Sequence, residues 1–298
     1  MFREKWSRTW PFHVMLWPAC ALTLVFAYVP MAGLVMAFQD FKPAKGIWHS
    51  PFVGLKHFEF MFDYPDSRQV IINTLVISVL KIIFGLLVPF VFALLLNEVR
   101  RMLFKRVVQT IVYLPHFISW VILGGILTDM LGTEGIVNRT LKQLGLKPVF
   151  WLGDGDWFRF TVVVSDIWQN FGFNAIVFLA ALAGVNPSLY EAAEVDGAGR
   201  WKQTLYITIP AMLPIAVVVG TLSLGNILNA GFDQIFNLYN PLVYDKGDII
   251  DTFVYRTAIL NSQYSFGTAV GMFKSVIGLI LIVAAYRLAY RYAGYKIF

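Results

Sequence analysis

The chain has 298 residues, of which 58% are hydrophobic and only 14% carry a charge. Soluble domains are about 25% charged, so the composition argues against a soluble enzyme or binding domain and indicates a protein solvated by lipid. The net charge of +6 does not point to nucleic acid. Its Lys and Arg residues cluster beside apolar segments, as residues that orient membrane helices do.

Six apolar segments are long enough to cross a bilayer core, which takes about 20 residues of helix. The sequence therefore predicts an all-α membrane protein, with residues 1–12 as a cytoplasmic N-terminus and residues 13–298 as one six-helix domain. The first segment is too long for the core of a signal peptide, so we expect it to be retained. The predicted spans are 13–38, 70–96, 107–130, 159–184, 206–230 and 267–290.

The distribution of basic residues predicts the orientation of these spans. Twelve Lys and Arg residues fall in short segments on the side of the N-terminus, and nine are spread over three longer connections on the other side. The denser side is expected to be cytoplasmic, which places both termini inside. The basic residues near the termini include Arg3, Lys5, Arg8 and Lys296. The longer, outer connections are residues 39–69, 131–158 and 231–266.

The connection at residues 186–210 contains an unusual number of charged and small residues. Ser188 followed by Glu191 matches a capping box, and Asn186-Pro187 is also typical of a helix start. We expect a short helix that runs to Asp196 and a turn at Gly197, whose backbone conformation a residue with a Cβ atom would resist. A second helical piece should then lead into the fifth span.

Two interpretations of this short helix remain open on physical grounds. Small Ala192 and Ala193 permit close approach to another surface, and the carboxylates of Glu191 and Glu194 offer directed pairing with basic groups. These features favour insertion into a groove of a partner protein. The alternative is an interfacial helix that only connects two spans.

The residues of this connection carry a family resemblance. Glu191-Ala192-Ala193, Gly197 and the terminal Ile207-x-Ile209-Pro210 resemble the EAA loop of permease subunits of type I ABC importers. "EVDGA" (Glu194–Ala198) is similar to the variant in carbohydrate-uptake permeases. Further segments resemble the branch that imports oligo- and polysaccharides, so that the likeness covers almost the whole chain. These segments are Leu114–Trp120, Gly231–Arg256 and Tyr264–Leu281.

The resemblance implies a permease fold, a set of partners and a place in a bacterial cytoplasmic membrane. The partners are a second homologous permease, two cytoplasmic ATPase subunits, an extracytoplasmic sugar-binding protein, the saccharide and membrane lipid. ATP and Mg²⁺ would be bound by the ATPase, because Gly267–Ser275 lacks the spacing of a phosphate-binding loop and lies in an apolar helix. The residues implied in coupling are Glu191, Ala192, Ala193, Asp196, Gly197 and Pro210.

Polar side chains form two stripes in the predicted spans. The spacing of three and four residues places each stripe on roughly one face of a helix. Amide and carboxylate groups bind sugar hydroxyls as donors and acceptors, so the stripes are candidates to line a carbohydrate path. Hydrogen bonding between helices is the alternative. The stripes are Ser223, Asn226, Asn229 and Asp233 in and after the fifth span, and Asp166, Gln169, Asn170 and Asn174 in the fourth.

Two lysines lie inside the apolar segments, where a charge is costly. Depth in the bilayer suggests that Lys81 neutralises Asp166. For Lys274, extension of the side chain to the outer surface is favoured over pairing with Asp233 or contact with an anionic sugar.

Two other classes of function compete with the importer permease. An ion-coupled secondary transporter would show inverted repeats and several acids in broken helices, and the sequence shows no repeat and one mid-span acid, Asp166. A membrane scaffold or receptor subunit would leave the polar stripes without a path. An ABC exporter is disfavoured because the inner connections are short.

Overall fold

The computed structural model describes residues 2–293, apart from the side chains of residues 2–8, 288, 289, 292 and 293. Within this part the chain is helical except for its connections, and β pairing is limited to one bridge between Gln39 and Phe52. Lys296 lies outside the described residues, as do the side chains of Arg3, Lys5 and Arg8, on which the predicted orientation partly depends.

Six helical stretches of the described chain are long and apolar enough to cross a membrane, which confirms the predicted all-α membrane fold. Each contains a window of 18 residues with at most two charged side chains. The stretches are Thr9–Phe38, Ser67–Asn97, Trp120–Gln143, Gly155–Ala183, Arg200–Leu224 and Tyr264–Arg287.

The first span is continuous although its helical type changes along its length. It consists of α1 (Phe2–Thr23), a π-helical turn (Leu24–Tyr28) and a 3₁₀ segment (Val29–Phe38). Two short helices follow, α2 (Gly46–His49) and α3 (Lys56–Asp63). The second span is the 31-residue helix α4 (Ser67–Asn97), which tolerates Pro89 in its interior.

The third span differs from the prediction of one helix over residues 107–130. Helix α5 (Met102–Tyr113) ends in a 3₁₀ turn (Leu114–Phe117), and α6 (Trp120–Leu131) and α7 (Ile136–Gln143) follow. Pro115 has no amide hydrogen to continue the helical ladder, which accounts for the break. The backbone freed by the break is satisfied by a neighbouring helix, because the side-chain amide of Gln169 donates to the carbonyl of Ile118 at 2.8 Å.

The fourth span is α8 (Gly155–Ala183), and its start is capped by Asp154, which accepts from the amides of Asp156 and Trp157. The connection predicted at 186–210 contains α9 (Pro187–Val195), α10 (Arg200–Gln203) and a π-helical turn (Thr204–Thr208).

The fifth span, α11 (Ile209–Leu224), ends six residues before the predicted end at 230. Residues 225–231 are not helical: turns occupy residues 225–228, and Gly231 adopts a left-handed φ of 96° before the next helix begins. The remaining helices are α12 (Phe232–Leu238), α13 (Tyr244–Gly247), α14 (Ile250–Val254) and α15 (Tyr264–Ala293), with a 3₁₀ turn at Pro241–Val243 and a π-helical turn at Tyr255–Ile259.

The chain forms two compact units. One contains the described residues up to Tyr64 together with Val254–Phe273, and the other contains Pro65–Phe253 together with the described residues from Lys274 onward. In the second unit α4 and α8 pack along each other. One core cluster there is centred on Phe158, Ile235 and Ile249, and another on Phe178 and Met212.

Helix α8 also approaches α5 closely, at a glycine. A Cβ atom on Gly172 would lie 2.2 Å from the carbonyl oxygen of Val112, so only glycine fits between the two backbones. Close approach through a small residue is the usual way in which membrane helices associate.

Candidate functional site

A cavity of about 360 Å³ lies in the second unit, between residues of α4, α8, α11 and the turns that follow α11. It holds six of the eight residues predicted to line a substrate path. From α8 these are Asp166, Asn170 and Asn174, and from α11 and the turns they are Ser223, Asn226 and Asn229. The two predicted stripes therefore meet at one cavity.

The other two predicted residues do not line this cavity. Gln169 is buried, and its side chain donates to the carbonyl of Ile118 beyond the break in the third span. Asp233 is an exposed residue in the first turn of α12. The structure thus places Gln169 in contact between helices and Asp233 outside the cavity.

Asn226 and Asn229 do not follow a helical face, because α11 ends at Leu224. They belong to hydrogen-bonded turns in which the backbone amide of Asn229 donates to the carbonyl of Asn226 at 2.8 Å. Both side chains are exposed, and the Asn229 amide donates to the Asn226 side-chain oxygen at 3.3 Å. This arrangement leaves the Asn226 amide nitrogen and the Asn229 side-chain oxygen available to a ligand.

Asn170 lines the cavity but is also bound to other parts of the protein. Its amide nitrogen donates to the carbonyl of Asp166 at 3.0 Å, and its side-chain oxygen lies 2.9 Å from Nδ1 of His116. The His116 ring stacks on Phe173 with centroids 4.0 Å apart. Sequence reasoning missed His116, and its only signal was its place in the Leu114–Trp120 segment.

The predicted pairing of Lys81 with Asp166 is confirmed. Their charged atoms lie 3.3 Å apart, and the Lys81 side chain is 10% exposed against 25% for Asp166. Both residues line the cavity, so its wall carries one positive and one negative charge in contact. The interpretation of Lys274 was wrong, because its ammonium group pairs with Asp251 of α14 and does not extend to the surface.

The connection at 186–210 contains the expected short helix, bend and second helix. The predicted capping box is wrong in one respect, because Asn186 and not Ser188 caps the helix, and its side chain accepts from the Ser188 amide at 3.0 Å. Pro187 occupies the first turn, where no amide hydrogen is needed. The helix ends at Val195, and Gly197 has a φ of 73°, as its predicted role in the turn requires.

Helix α9 has no buried residue. Glu191, Ala192 and Asp196 are exposed, Ala193 is half-buried, and Pro210 lies in the first turn of α11. Large apolar groups beside the bend are also exposed, with 89% of Val195 and 78% of Trp201 accessible. Such a patch is typical of a surface that a partner protein covers.

Contacts that sequence reasoning missed hold this connection to the membrane helices. The hydroxyl of Tyr190 lies 3.0 Å from that of Thr208, and Glu98 at the end of α4 accepts from Thr204 at 3.4 Å. Glu98 also lies 3.8 Å from the guanidinium of Arg200. Tyr190 therefore connects α9 to the turn before α11, and Glu98 connects the end of α4 to the residues after the bend. The exposed face of α9 remains open.

Residues 85–294 match the family model described as the binding-protein-dependent transport system inner membrane component. The chain belongs to this family. It is accordingly a transporter permease subunit of the inner membrane and not an enzyme, and in such systems the ATPase is a separate chain. This membership favours the importer permease over the secondary transporter and the scaffold.

Two curated relatives from Bacillus subtilis (strain 168) cover most of the permease. Protein LplB is 40% identical over 97% of this chain and 90% of the relative. The polygalacturonan/rhamnogalacturonan transport system permease protein YteP is 42% identical over 94% of this chain and 88% of the relative. The arabinooligosaccharides transport system permease protein AraP of Halalkalibacterium halodurans is 28% identical.

Solved structures show the same fold over nearly the full permease. A chain in the crystal structure of a bacterial ABC transporter involved in the import of the acidic polysaccharide alginate superimposes with a TM-score of 0.89, at 39% identity, over 98% of this chain and 99% of that one. A second structure, with a TM-score of 0.88, contains the alginate transporter in complex with its alginate pentasaccharide-bound periplasmic protein.

Proposed function

We propose that this permease forms half of the transmembrane path of an importer for uronate-containing oligo- or polysaccharides. The main support for this proposal is the cavity of about 360 Å³, whose wall contains the exposed amide groups of Asn174, Asn226 and Asn229. An amide offers both donors and acceptors, which suits the hydroxyl groups of a sugar. The names of YteP and of the alginate importer support the acidic saccharide class.

The second half of the path comes from a homologous permease, and an extracytoplasmic binding protein delivers the saccharide. Both termini lie in the cytoplasm, so that α9 and its bend face the inner side and the connections after the first, third and fifth spans face outward. This orientation is supported by the density of basic residues in the inner connections.

Helix α9 couples the permease to a separate ATPase. Glu191 and Asp196 supply charges for basic groups of that partner, Ala192 and Ala193 allow close approach, and Gly197 forms the bend that lets the helix seat. Two observations support this role: no residue of the helix is buried by the rest of the chain, and its base is anchored through Tyr190.

Uptake by the assembled complex tests the proposal. The permease is reconstituted in proteoliposomes with its partner permease, ATPase and binding protein, and uptake of a labelled galacturonate oligosaccharide is measured with and without ATP. We expect ATP-dependent uptake, which Glu191→Lys abolishes by reversing the charge at the coupling surface while the complex remains assembled. Uptake by the isolated chain without any ATPase would contradict the proposal and favour an ion-coupled carrier.

A further inference from the structure

Lys81 is bound by more than its partner Asp166. Its ammonium group donates to the backbone carbonyl of Ala230 at 2.7 Å and to the side-chain oxygen of Gln234, and it lies 3.3 Å from Asp166. An ammonium group has three hydrogens to donate. Three acceptors from the protein therefore use the whole donor capacity of Lys81 and leave none for a substrate carboxylate.

Gln234 extends this cluster into α8. The residue is 1% exposed, and its amide nitrogen donates to the carbonyl of Val162 at 2.7 Å and to the Ser165 hydroxyl at 2.8 Å. Its oxygen accepts from Lys81, so both ends of the amide are satisfied. The cluster joins α4, α8 and the start of α12 within one unit.

The Ala230–Gly231 peptide is the point at which this cluster holds the turns after α11. Gly231 has a φ of 96°, which side chains with a Cβ rarely adopt, and a Cβ added there would lie 2.9 Å from the Lys81 nitrogen. The same turns carry Asn226 and Asn229 at the cavity wall. The position of these two amides thus depends on a peptide that Lys81 anchors.

We propose that Lys81 is a positioning residue for saccharide transport, which with Asp166 and Gln234 holds the Asn226–Asn229 turns at the cavity. Lys81 does not serve as a receptor for a substrate carboxylate. The positive charge is balanced by Asp166, and removal of either partner alone would leave an uncompensated charge in the membrane. This inference rests on the proposed function for its transport readout, but its structural readout is independent of it.

Three variants in the assembled complex test the proposal. Lys81→Met with Asp166→Asn removes the ion pair of the cluster without changing the net charge of the cavity. Gly231→Ala keeps every charged group, but it strains the same peptide and places a methyl group about 2.9 Å from the Lys81 nitrogen. The third variant combines all three substitutions. The matched control is Lys142→Met with Glu134→Gln, which removes an exposed ion pair of 3.0 Å elsewhere in the same unit.

Hydrogen exchange of residues 225–238 and uptake of the labelled galacturonate oligosaccharide are measured for each variant. We expect faster hydrogen exchange in this segment in the Lys81→Met/Asp166→Asn variant and in Gly231→Ala, which are the two cluster variants. Each should also lose uptake by on the order of tenfold or more, since small misplacements near a site have effects of that size. The combined variant should be no worse than the double variant, because both act on one structure. The control should behave as wild type.

A role as carboxylate receptor predicts another pattern. The Lys81 and Asp166 substitutions would then abolish uptake with unchanged exchange of residues 225–238, which would overturn the proposal. If the wild-type complex fails to take up the saccharide, the proposed function fails, and the exchange of residues 225–238 still decides the role of Lys81. Unchanged exchange in both cluster variants would refute it.

Discussion

The hydroxyl groups of Tyr190 and Thr208 lie 3.0 Å apart and join α9 to the π-helical turn that leads into α11. Thr208 is 2% exposed, so this contact connects a surface helix to the packed part of the chain. Movement of α9 would be transmitted through this link to the helix that ends at the cavity.

Tyr190→Phe tests this link by removing one hydroxyl group. The loss of a hydrogen bond of this kind costs about 0.5–1.5 kcal/mol. We expect the variant to assemble normally and to hydrolyse more ATP for each saccharide imported, because α9 is held less firmly. The ratio of ATP hydrolysis to uptake measures the effect. Tyr206→Phe is the control, since that side chain is 72% exposed and does not take part in the contact between Tyr190 and Thr208. An unchanged ratio in Tyr190→Phe would exclude the link from coupling.

Gly197 is open to substitutions that separate backbone strain from side-chain size. A Cβ at this position would meet nothing within 4 Å, but the φ of 73° is unfavourable for residues other than glycine. Asn tolerates this conformation better than a β-branched residue does. We expect Gly197→Asn to keep most of the transport-coupled ATPase activity and Gly197→Val to lose most of it, with a strain of roughly 1–3 kcal/mol at the bend. Equal activity in the two variants would show that the bend conformation is not needed.

Gly172 tests the packing of α8 on α5, and Gly125 of α6 is a matched control because it is not crowded. At Gly172 a Cβ would lie 2.2 Å from the Val112 carbonyl oxygen, whereas at Gly125 it would meet nothing within 4 Å. We expect Gly172→Ala to destabilise the permease by roughly 1–3 kcal/mol, as overpacking does. Gly125→Ala should be neutral or stabilise it by about 0.5–1 kcal/mol, because alanine is the better helix former. Thermal unfolding of the purified complex in detergent measures both, and similar Tm values would contradict the prediction.

Asn226 and Asn229 are expected to act in transport and not in stability. Both side chains are exposed at the cavity, so Asn226→Leu with Asn229→Leu should lower uptake and leave the unfolding temperature close to that of wild type. Asn138 offers the contrast. It is fully buried and bonds the carbonyls of Gly132 and Val149 at 3.0 and 2.9 Å. Asn138→Leu leaves these groups unsatisfied, at about 1–3 kcal/mol each, and should lower the Tm. Full uptake by the double variant would remove the two amides from the path.

The positions of the spans could be predicted because hydropathy is a local property of the chain. The end of α11 was not predicted, and at that end the chain meets a residue that is distant in sequence. A Cβ on Gly278 of α15 would lie 2.7 Å from the carbonyl oxygen of Gly225, so the two backbones touch where the helix stops. The regular spacing of Ser223, Asn226 and Asn229 suggested a helical stripe. Ser223 does lie on α11, but Asn226 and Asn229 lie in the turns that follow that helix.

The ion pairs show the same division between local and distant information. Depth in the bilayer was sufficient to suggest Lys81 with Asp166, since few charges lie at that level. Lys274 finds Asp251 in another helix, and no sequence spacing indicates that contact. The cap of α9 is the reverse case: Ser188 and Asn186 both suit the role, and the backbone geometry at Pro187 decides for Asn186.

The exposed Val195 and Trp201 beside the bend of α9 have a consequence for biosynthesis. Under the proposed coupling role of α9, a permease produced in excess of its ATPase would present these apolar groups to the aqueous phase, where they favour aggregation. Balanced production of the two polypeptides avoids this hazard.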